Sequence, residues 1–236
     1  MAAVTDCWTE IDGPIGPLYV AWGPDGVTEV EPAGDPGGFE LMVSTRLGRP
    51  VRWVEAMPHA LAAALMRAIR GETSAGPALD LGGRTPYEAA VLRVTMSIPF
   101  GEVRPYAWVA REAGRPRAVR AVGSIMAGNA LPYVIPCHRV VRTDGHIGEY
   151  GPGGPIAKRA LLREEGLDPD ELDALADAGI RYLGDRGASV FCFPSCRVVR
   201  AVASSDRVRL RSGEAALAGG FAPCAACRPL IGSPFS

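Results

Sequence analysis

Residues 107–127 read AWVAREAGRPRAVRAVGSIMA, and the kind of fold turns on them. Gly114 and Pro116 break the stretch into two helical runs, Ala107–Glu112 and Arg117–Ala127, and Val119, Val122, Ile125 and Met126 share one face of the second. Two short helices around a glycine turn, the second bearing Arg117 and Arg120, form either a DNA-reading helix-turn-helix or an ordinary helical pair. The pattern alone leaves both open.

Upstream, Thr85-Pro86-Tyr87-Glu88 is a capping box with proline at the first helical position, in front of a helix over Ala89–Met96. Gly71–Gly83, rich in Gly, Ser, Thr and Pro, reads as a connector. Before it, Leu18–Trp22 and Val27–Glu31 flank the turn Gly23-Pro24-Asp25-Gly26 as a hairpin. A helix over Phe39–Leu47, a strand over Val51–Glu55 and a helix over His59–Arg70 follow, the last with Leu61, Leu65, Met66 and Ile69 on one side. Downstream, Asp168-Pro169 caps a helix reaching Asp177, acidic at the end the helix dipole favours. Beyond Arg181 the apolar runs Val190–Phe193 and Val198–Val202 are short, so this segment is expected to need a metal to fold.

With 47% hydrophobic and 22% charged residues over 236 positions, the chain can bury a core, which excludes a disordered or fibrous protein. No apolar run is long enough to span a bilayer and no export signal opens the chain, so a cytoplasmic protein with no membrane partner is expected. The net charge of −1 conceals blocks: residues 1–83 and 143–180 are each acidic by six, 84–142 basic by six and 181–236 basic by five. Basic faces of this size suit a phosphate backbone, although ordinary surface ion pairing gives the same count.

The chemistry concentrates in Ile135-Pro136-Cys137-His138-Arg139-Val140-Val141. A thiol is nucleophilic as thiolate, and an imidazole that takes its proton supplies one. On an extended chain neighbouring side chains point to opposite faces, so a water is expected to bridge Cys137 and His138, with a carboxylate elsewhere to orient the ring. A bare Cys-His dipeptide is more often an inert buried thiol beside a surface histidine.

The surrounding words change that reading. Ile98-Pro99-Phe100-Gly101-Glu102-Val103 with Tyr106, Gly114-Arg115-Pro116, Arg120-Ala121-Val122-Gly123, Gly128-Asn129, Pro136-Cys137-His138-Arg139-Val140, and Lys158 with Leu161-Leu162 before Glu165-Gly166 run in one order. In that order residues 85–166 resemble the catalytic domain of the O6-alkylguanine-DNA alkyltransferases.

The resemblance implies Cys137 as alkyl acceptor, His138 as water-mediated base, Glu165 as the carboxylate behind it, and Asn129 as brace of the active-site turn. It implies that Tyr106 donates to the departing guanine and crowds a phosphate, and that Arg120 enters the base stack where the damaged nucleotide flips out. Arg117, Ala121 and Gly123 would lie on DNA beside it, and Val140, Tyr150 and Gly151 would line the alkyl pocket. These roles suit the residue types: a phenol donates to a developing anion, a guanidinium stacks on bases, and a base inside a duplex is out of reach until extruded.

The implied reaction moves an alkyl group from O6-alkylguanine, and from O4-alkylthymine, in double-stranded DNA onto sulfur. A thioether is a very poor leaving group, so the protein is consumed, and no organic cofactor is required. The chain departs from the family pattern at Gly151-Pro152-Gly153-Gly154-Pro155, one residue longer before Lys158 and with glycine where many relatives carry serine. That leaves open which alkyl groups fit, and whether Tyr150 gates the pocket or packs in its wall.

Six cysteines are unevenly placed. Cys7 stands alone as a core or surface thiol. Cys192-x3-Cys196 and Cys224-x2-Cys227, with 27 residues between the pairs, have the spacing of a closed tetrahedral site for one zinc ion. The words around them, Phe191-Cys192-Phe193-Pro194, Glu214-Ala215-Ala216-Leu217-Ala218-Gly219-Gly220 and Phe221-Ala222-Pro223-Cys224, resemble the metal-binding domain of the bacterial Ada adaptive-response protein. That resemblance implies Cys192 as a second acceptor, for methyl groups on DNA phosphotriesters. Against it, Phe193 stands where Ada is basic. The alternative is a structural or DNA-gripping module, with Arg197, Arg200, Arg207, Arg209 and Arg211 on phosphates.

The expected architecture is α+β: a small RNase H-like α+β domain over 1–83, a winged helix-turn-helix-like catalytic domain over 84–166, an acidic linker helix over 167–180 and a small zinc-bound module over 181–236. A monomer is expected. Two other readings compete. A lesion sensor that flips alkylguanine without repairing it would lack the acceptor, yet Cys137 is present; a zinc-dependent regulator would need a further DNA-reading domain, and none is visible.

Overall fold

The computed structural model describes residues 6–72 and 76–232; residues 73–75, in the expected connector, lie outside that description. The chain is a mixed α+β structure. Strands β1 (Asp6–Gly13), β2 (Gly16–Gly23) and β3 (Gly26–Pro32) form an antiparallel meander, helix α1 (Pro36–Leu47) crosses over, and β4 (Val51–Trp53) joins β1 in parallel. The sheet order is β3-β2-β1-β4. Side chains alternate across it, so Trp8 and Tyr19 meet Phe39 of α1 on one face while Leu18, Val20 and Trp22 turn to the central core on the other. Asp35 caps α1 through the Gly37 and Gly38 amides, and Gly48 at φ 64° ends it.

Helix α2 (His59–Ile69) buries Leu65 and Ile69. Helix α3 (Pro86–Met96) begins with both hydrogen bonds of the expected capping box, Glu88 N to Thr85 Oγ1 and Thr85 N to Glu88 Oε2. Strand β5 (Arg104–Pro105) leads into α4 (Tyr106–Glu112) and α5 (Val119–Ala127). The latter starts later than expected, because Arg117 stays in the turn set by Pro116 and Ala118 lies at φ −90°, ψ 33°, off the helix. Val122, Ile125 and Met126 are buried, which leaves Arg117, Arg120 and Ala121 on the outer face. Strand β6 (Val140–Val141) pairs in parallel with β5.

Helices α6 (Gly154–Glu164) and α7 (Pro169–Asp177) follow. The helix expected in the acidic segment packs down: Leu172 and Ala176 are buried, while Asp170 and Asp173 take Arg159, and Asp170 also Arg163, from α6. A second small sheet, in the order β10-β8-β7-β9, contains β7 (Tyr182–Asp185), β8 (Val190–Cys192), β9 (Arg207–Leu210) and β10 (Ala222–Pro223), with α8 (Arg197–Arg200) and α9 (Gly213–Ala218) beside it. This segment buries more than its short apolar runs suggest. Phe191, Phe193, Val199 and Leu210 are buried and belong to the same core as Trp108 of α4. Among the described residues no helix is long and apolar enough to cross a membrane.

Candidate active site and metal centre

Cys137 opens a single 3-10 turn, Cys137–Arg139, between Pro136 and β6, so the two side chains are set by a turn and not by the extended chain expected. Cys137 and His138 are both buried and make no hydrogen bond to each other. The Asn129 Nδ2 amide donates to Cys137 Sγ at 3.2 Å and to Ile135 O at 3.0 Å, while its Oδ1 accepts from Leu131 N at 3.1 Å. One side chain thus ties the end of α5 to the turn that carries the thiol.

His138 Nε2 lies 2.7 Å from Glu165 Oε1. The carboxylate also receives Arg139 Nε at 2.9 and 3.0 Å and the Gly101 amide at 2.9 Å, and Arg139 Nη1 reaches Ile98 O at 2.8 Å. His138 Nδ1 is buried without a hydrogen-bond partner among the described residues. Arg139 and Gly101 escaped the sequence reading as members of this network. Lys158, quoted only as a landmark, buries its ammonium and donates to Val140 O at 2.7 Å and Glu149 O at 3.2 Å.

Burial pushes the Cys137 thiol up, opposed by the Asn129 hydrogen bond and the Lys158 charge. Burial pushes His138 down, against the pull of Glu165, so the imidazole rests neutral. Burial would raise Glu165, but His138, Arg139 and the Gly101 amide outweigh it and hold the carboxyl below its usual value of 4.5. Lys158 is brought down by burial to about 8. The site brings a buried thiol, a neutral imidazole and an ionised carboxylate together, the set of groups that nucleophilic chemistry with an assisting base requires.

Tyr106 is the first residue of α4, and burial raises its phenol. With Arg120 and Gly123 it lines an open groove of about 630 Å³ that Arg181, Arg211 and Leu230 also line. Val140 and Tyr150 are buried; Tyr150 sits edge-on to His138, 6.3 Å between ring centres, and close enough to Cys137 to feel its charge. Gly151 is exposed on the turn that follows. The glycines of the lengthened loop have a use: Gly153 and Gly154, at φ 80° and 70°, form the left-handed entry to α6.

The sulfurs of Cys192, Cys196, Cys224 and Cys227 all lie within 4.8 Å of one another, and all four residues are buried. Four thiolates on one tetrahedral zinc stand about 3.8 Å apart, so the set fits that ion. So closely packed, the thiols bias one another: hydrogen bonds from its neighbours draw Cys196 down, while Cys192 and Cys227 are pushed up.

A buried thiol beside a histidine–carboxylate pair, set next to a pair of short helices and a four-thiol centre, narrows the class of protein. Residues 86–167 match the family described as 6-O-methylguanine DNA methyltransferase, DNA binding domain, and residues 173–229 match the metal binding domain of Ada. Similar proteins include the methylated-DNA–protein-cysteine methyltransferases of Rattus norvegicus, 50% identical over 30% of this chain and 34% of the relative, and Methanothermobacter thermautotrophicus, 45% identical over 38% and 49%. The chain thus spans about a third to a half of the length of these relatives. Among solved structures, Mycobacterium tuberculosis OGT in complex with DNA is similar at 30% identity and TM-score 0.52, over 70% of this chain and 97% of that one. The O6-methylguanine-DNA methyltransferase of Pyrococcus kodakaraensis is similar at 25% identity and TM-score 0.53, over 69% and 100%. The chain belongs to the family of methylated-DNA–protein-cysteine methyltransferases, with an Ada-type metal-binding segment at its C-terminal side.

Proposed function

We propose that this protein repairs double-stranded DNA by moving the alkyl group of O6-alkylguanine, and of O4-alkylthymine, onto Cys137 in a single turnover. The observation that carries this is the buried Cys137 thiol held by Asn129, next to a His138 whose ring is fixed by Glu165. His138 Nδ1 accepts the thiol proton through a water, and Glu165 stabilises the imidazolium that results. The sulfur then attacks the alkyl carbon, a C–S bond forms, the C–O bond breaks, and its electron pair passes to the guanine. Tyr106 gives the leaving base a proton and recovers one from solvent. The product is guanine and S-alkyl-Cys137, which nothing in the site reverses.

In this reading the N-terminal sheet is an RNase H-like domain over 1–83 and the two helices α4 and α5, with β5 and β6, are the winged helix-turn-helix of a catalytic domain over 84–166, joined through 167–180 to the module over 181–236. Arg120 fills the space of the extruded nucleotide, and Arg117, Ala121 and Gly123 lie along the backbone. Val140, Tyr150 and Gly151 wall the alkyl pocket. The protein works as a cytoplasmic monomer, holds one structural zinc on Cys192, Cys196, Cys224 and Cys227, and needs no organic cofactor.

For the module itself two readings stand, Cys192 as methyl-phosphotriester acceptor and a structural or DNA-gripping role. The second is favoured by a specific observation: Arg181 and Arg211 line the same groove as Tyr106 and Arg120. Intact-mass measurement after mixing with duplex O6-methylguanine DNA tests the main reading. One methylene of added mass per chain, mapped to the Cys137 peptide, supports it; an unchanged Cys137 overturns it.

A further inference from the structure

Resting on the assignment of Cys137 as acceptor, we infer that the metal-binding module braces the acceptor centre, with Arg200 and Ser195 as positioning residues for Glu165. The Arg200 guanidinium donates from Nη1 to Gly101 O at 3.1 Å and from Nη2 to Gly166 O at 2.9 Å. Gly101 is the residue whose amide binds Glu165 Oε2 at 2.9 Å, and Gly166 directly follows Glu165. One side chain from the module therefore spans both backbone segments that fix the carboxylate. These segments touch: a Cβ on Gly101, at φ 71°, would meet Glu165 O at 2.9 Å.

The neighbouring residues are fastened in the same way. Ser195 Oγ, fully buried, accepts from Val103 N at 2.9 Å and donates to Val103 O at 3.2 Å, and Arg197 N donates to Glu102 Oε1 at 3.1 Å. Residues 101, 102 and 103 thus each bond to the stretch 195–200. Ser195 lies inside the loop closed by Cys192 and Cys196, and Arg200 N bonds to Cys196 O at 3.0 Å, so a metal on the four thiols sets the position of both braces. The second thiol pair grips the opposite wall: Trp108 Nε1 of α4 donates to Cys227 O at 3.0 Å, and Arg111 Nη1 to Pro229 O at 3.1 Å.

A free guanidinium at Arg200 would be an ordinary surface charge with no bearing on the relay. As a brace it keeps the Gly101 amide on Glu165, and hence the His138 ring in register, so its loss moves the pH at which Cys137 reacts. The test uses the full chain with zinc bound and free O6-benzylguanine, which needs no DNA docking, with iodoacetamide alkylation of Cys137 as a second readout. Arg200→Ala is expected to slow benzyl transfer about tenfold, the worth of one hydrogen bond in a charged network, and to shift the rising limb of both pH profiles upward. Arg200→Lys, which keeps one donor, should fall between.

Chelation of the zinc should raise amide exchange over residues 98–104. Wild-type rates and profiles in both arginine variants, or exchange there indifferent to the metal, overturn the brace. Failure of wild-type protein to take benzyl on Cys137 would instead overturn the assignment on which it rests.

Discussion

Glu165 Oε1 stands 2.7 Å from His138 Nε2, and with the carboxylate held ionised by Arg139 and Gly101, the ring donates from Nε2 and keeps the lone pair of Nδ1. The imidazole has one useful tautomer. Glu165→Gln keeps the shape but removes the charge that stabilises an imidazolium. Alkyl transfer should fall about a hundredfold, in the range of a lost acid–base contribution, while DNA binding is unchanged. Stopped reactions with labelled duplex separate the two. The same network carries a stability term: because the folded carboxyl lies below its usual value, the stabilisation is complete above about pH 4.5 and is lost as pH falls through the lowered value. In Glu165→Gln the urea midpoint should lose that part of its acid dependence.

Lys158 puts a second charge near the thiol. Its folded pKa of about 8, brought down by burial from 10.5, means that the charged form is costly to bury, so its contribution to stability rises between pH 8 and 10.5 as the folded lysine sheds its proton first. Lys158→Met should flatten that alkaline rise in the urea midpoint. It should also slow iodoacetamide at neutral pH, since Cys137 loses the cation that lowers its pKa. A thiol reactivity equal to wild type would show that the Lys158 charge is not what sustains the thiolate.

Arg120 lies exposed on α5, its side chain making no hydrogen bond among the described residues, and lines the same groove as Arg211. Arg120→Ala should slow repair in duplex by tenfold or more, about the cost of holding an extruded base, and leave transfer from free O6-benzylguanine near wild type. Arg211→Ala should act differently. It should weaken binding to all sequences alike and reduce the salt slope of the binding constant by about one, as expected for one phosphate contact. Fluorescence anisotropy over a salt series measures both.

What was legible in the sequence was what neighbours decide. The Thr85–Glu88 capping box is formed between adjacent turns, and the cysteine quartet announces itself by spacing. Strand β1 was not read, because its first residue is an aspartate; Asp6 is buried only because Arg49, 43 residues away, takes both of its oxygens. The pairing of Glu165 with His138 followed from the resemblance, but its other partners, Arg139 and Gly101, were hidden for the same reason, Gly101 lying 64 residues upstream. The module's arginines looked alike in sequence, yet Arg200 and Arg207 spend their donors on backbone carbonyls while Arg211 faces the groove. Only the fold distinguishes a brace from a phosphate contact.

The four-thiol centre gives the last prediction. Both a structural and a reactive site bind one zinc, so occupancy does not separate them; the fate of a methyl group does. Cys192 is buried, as are its chain neighbours Phe191 and Phe193, while Arg181 and Arg211 of the same segment line the groove of Tyr106 and Arg120, so the gripping role is the one expected. In Cys137→Ala protein, mixed with DNA that carries methyl phosphotriesters and no alkylated guanine, no added methylene is expected on the Cys192 peptide by mass mapping. Cys224→Ser, which removes a ligand, should lose the zinc and lower thermal stability, because Trp108 gives its indole hydrogen bond to Cys227 O in the loop that the metal closes. Methyl found on Cys192 would make the centre a second acceptor, and would require the loop around Phe193 to open on DNA.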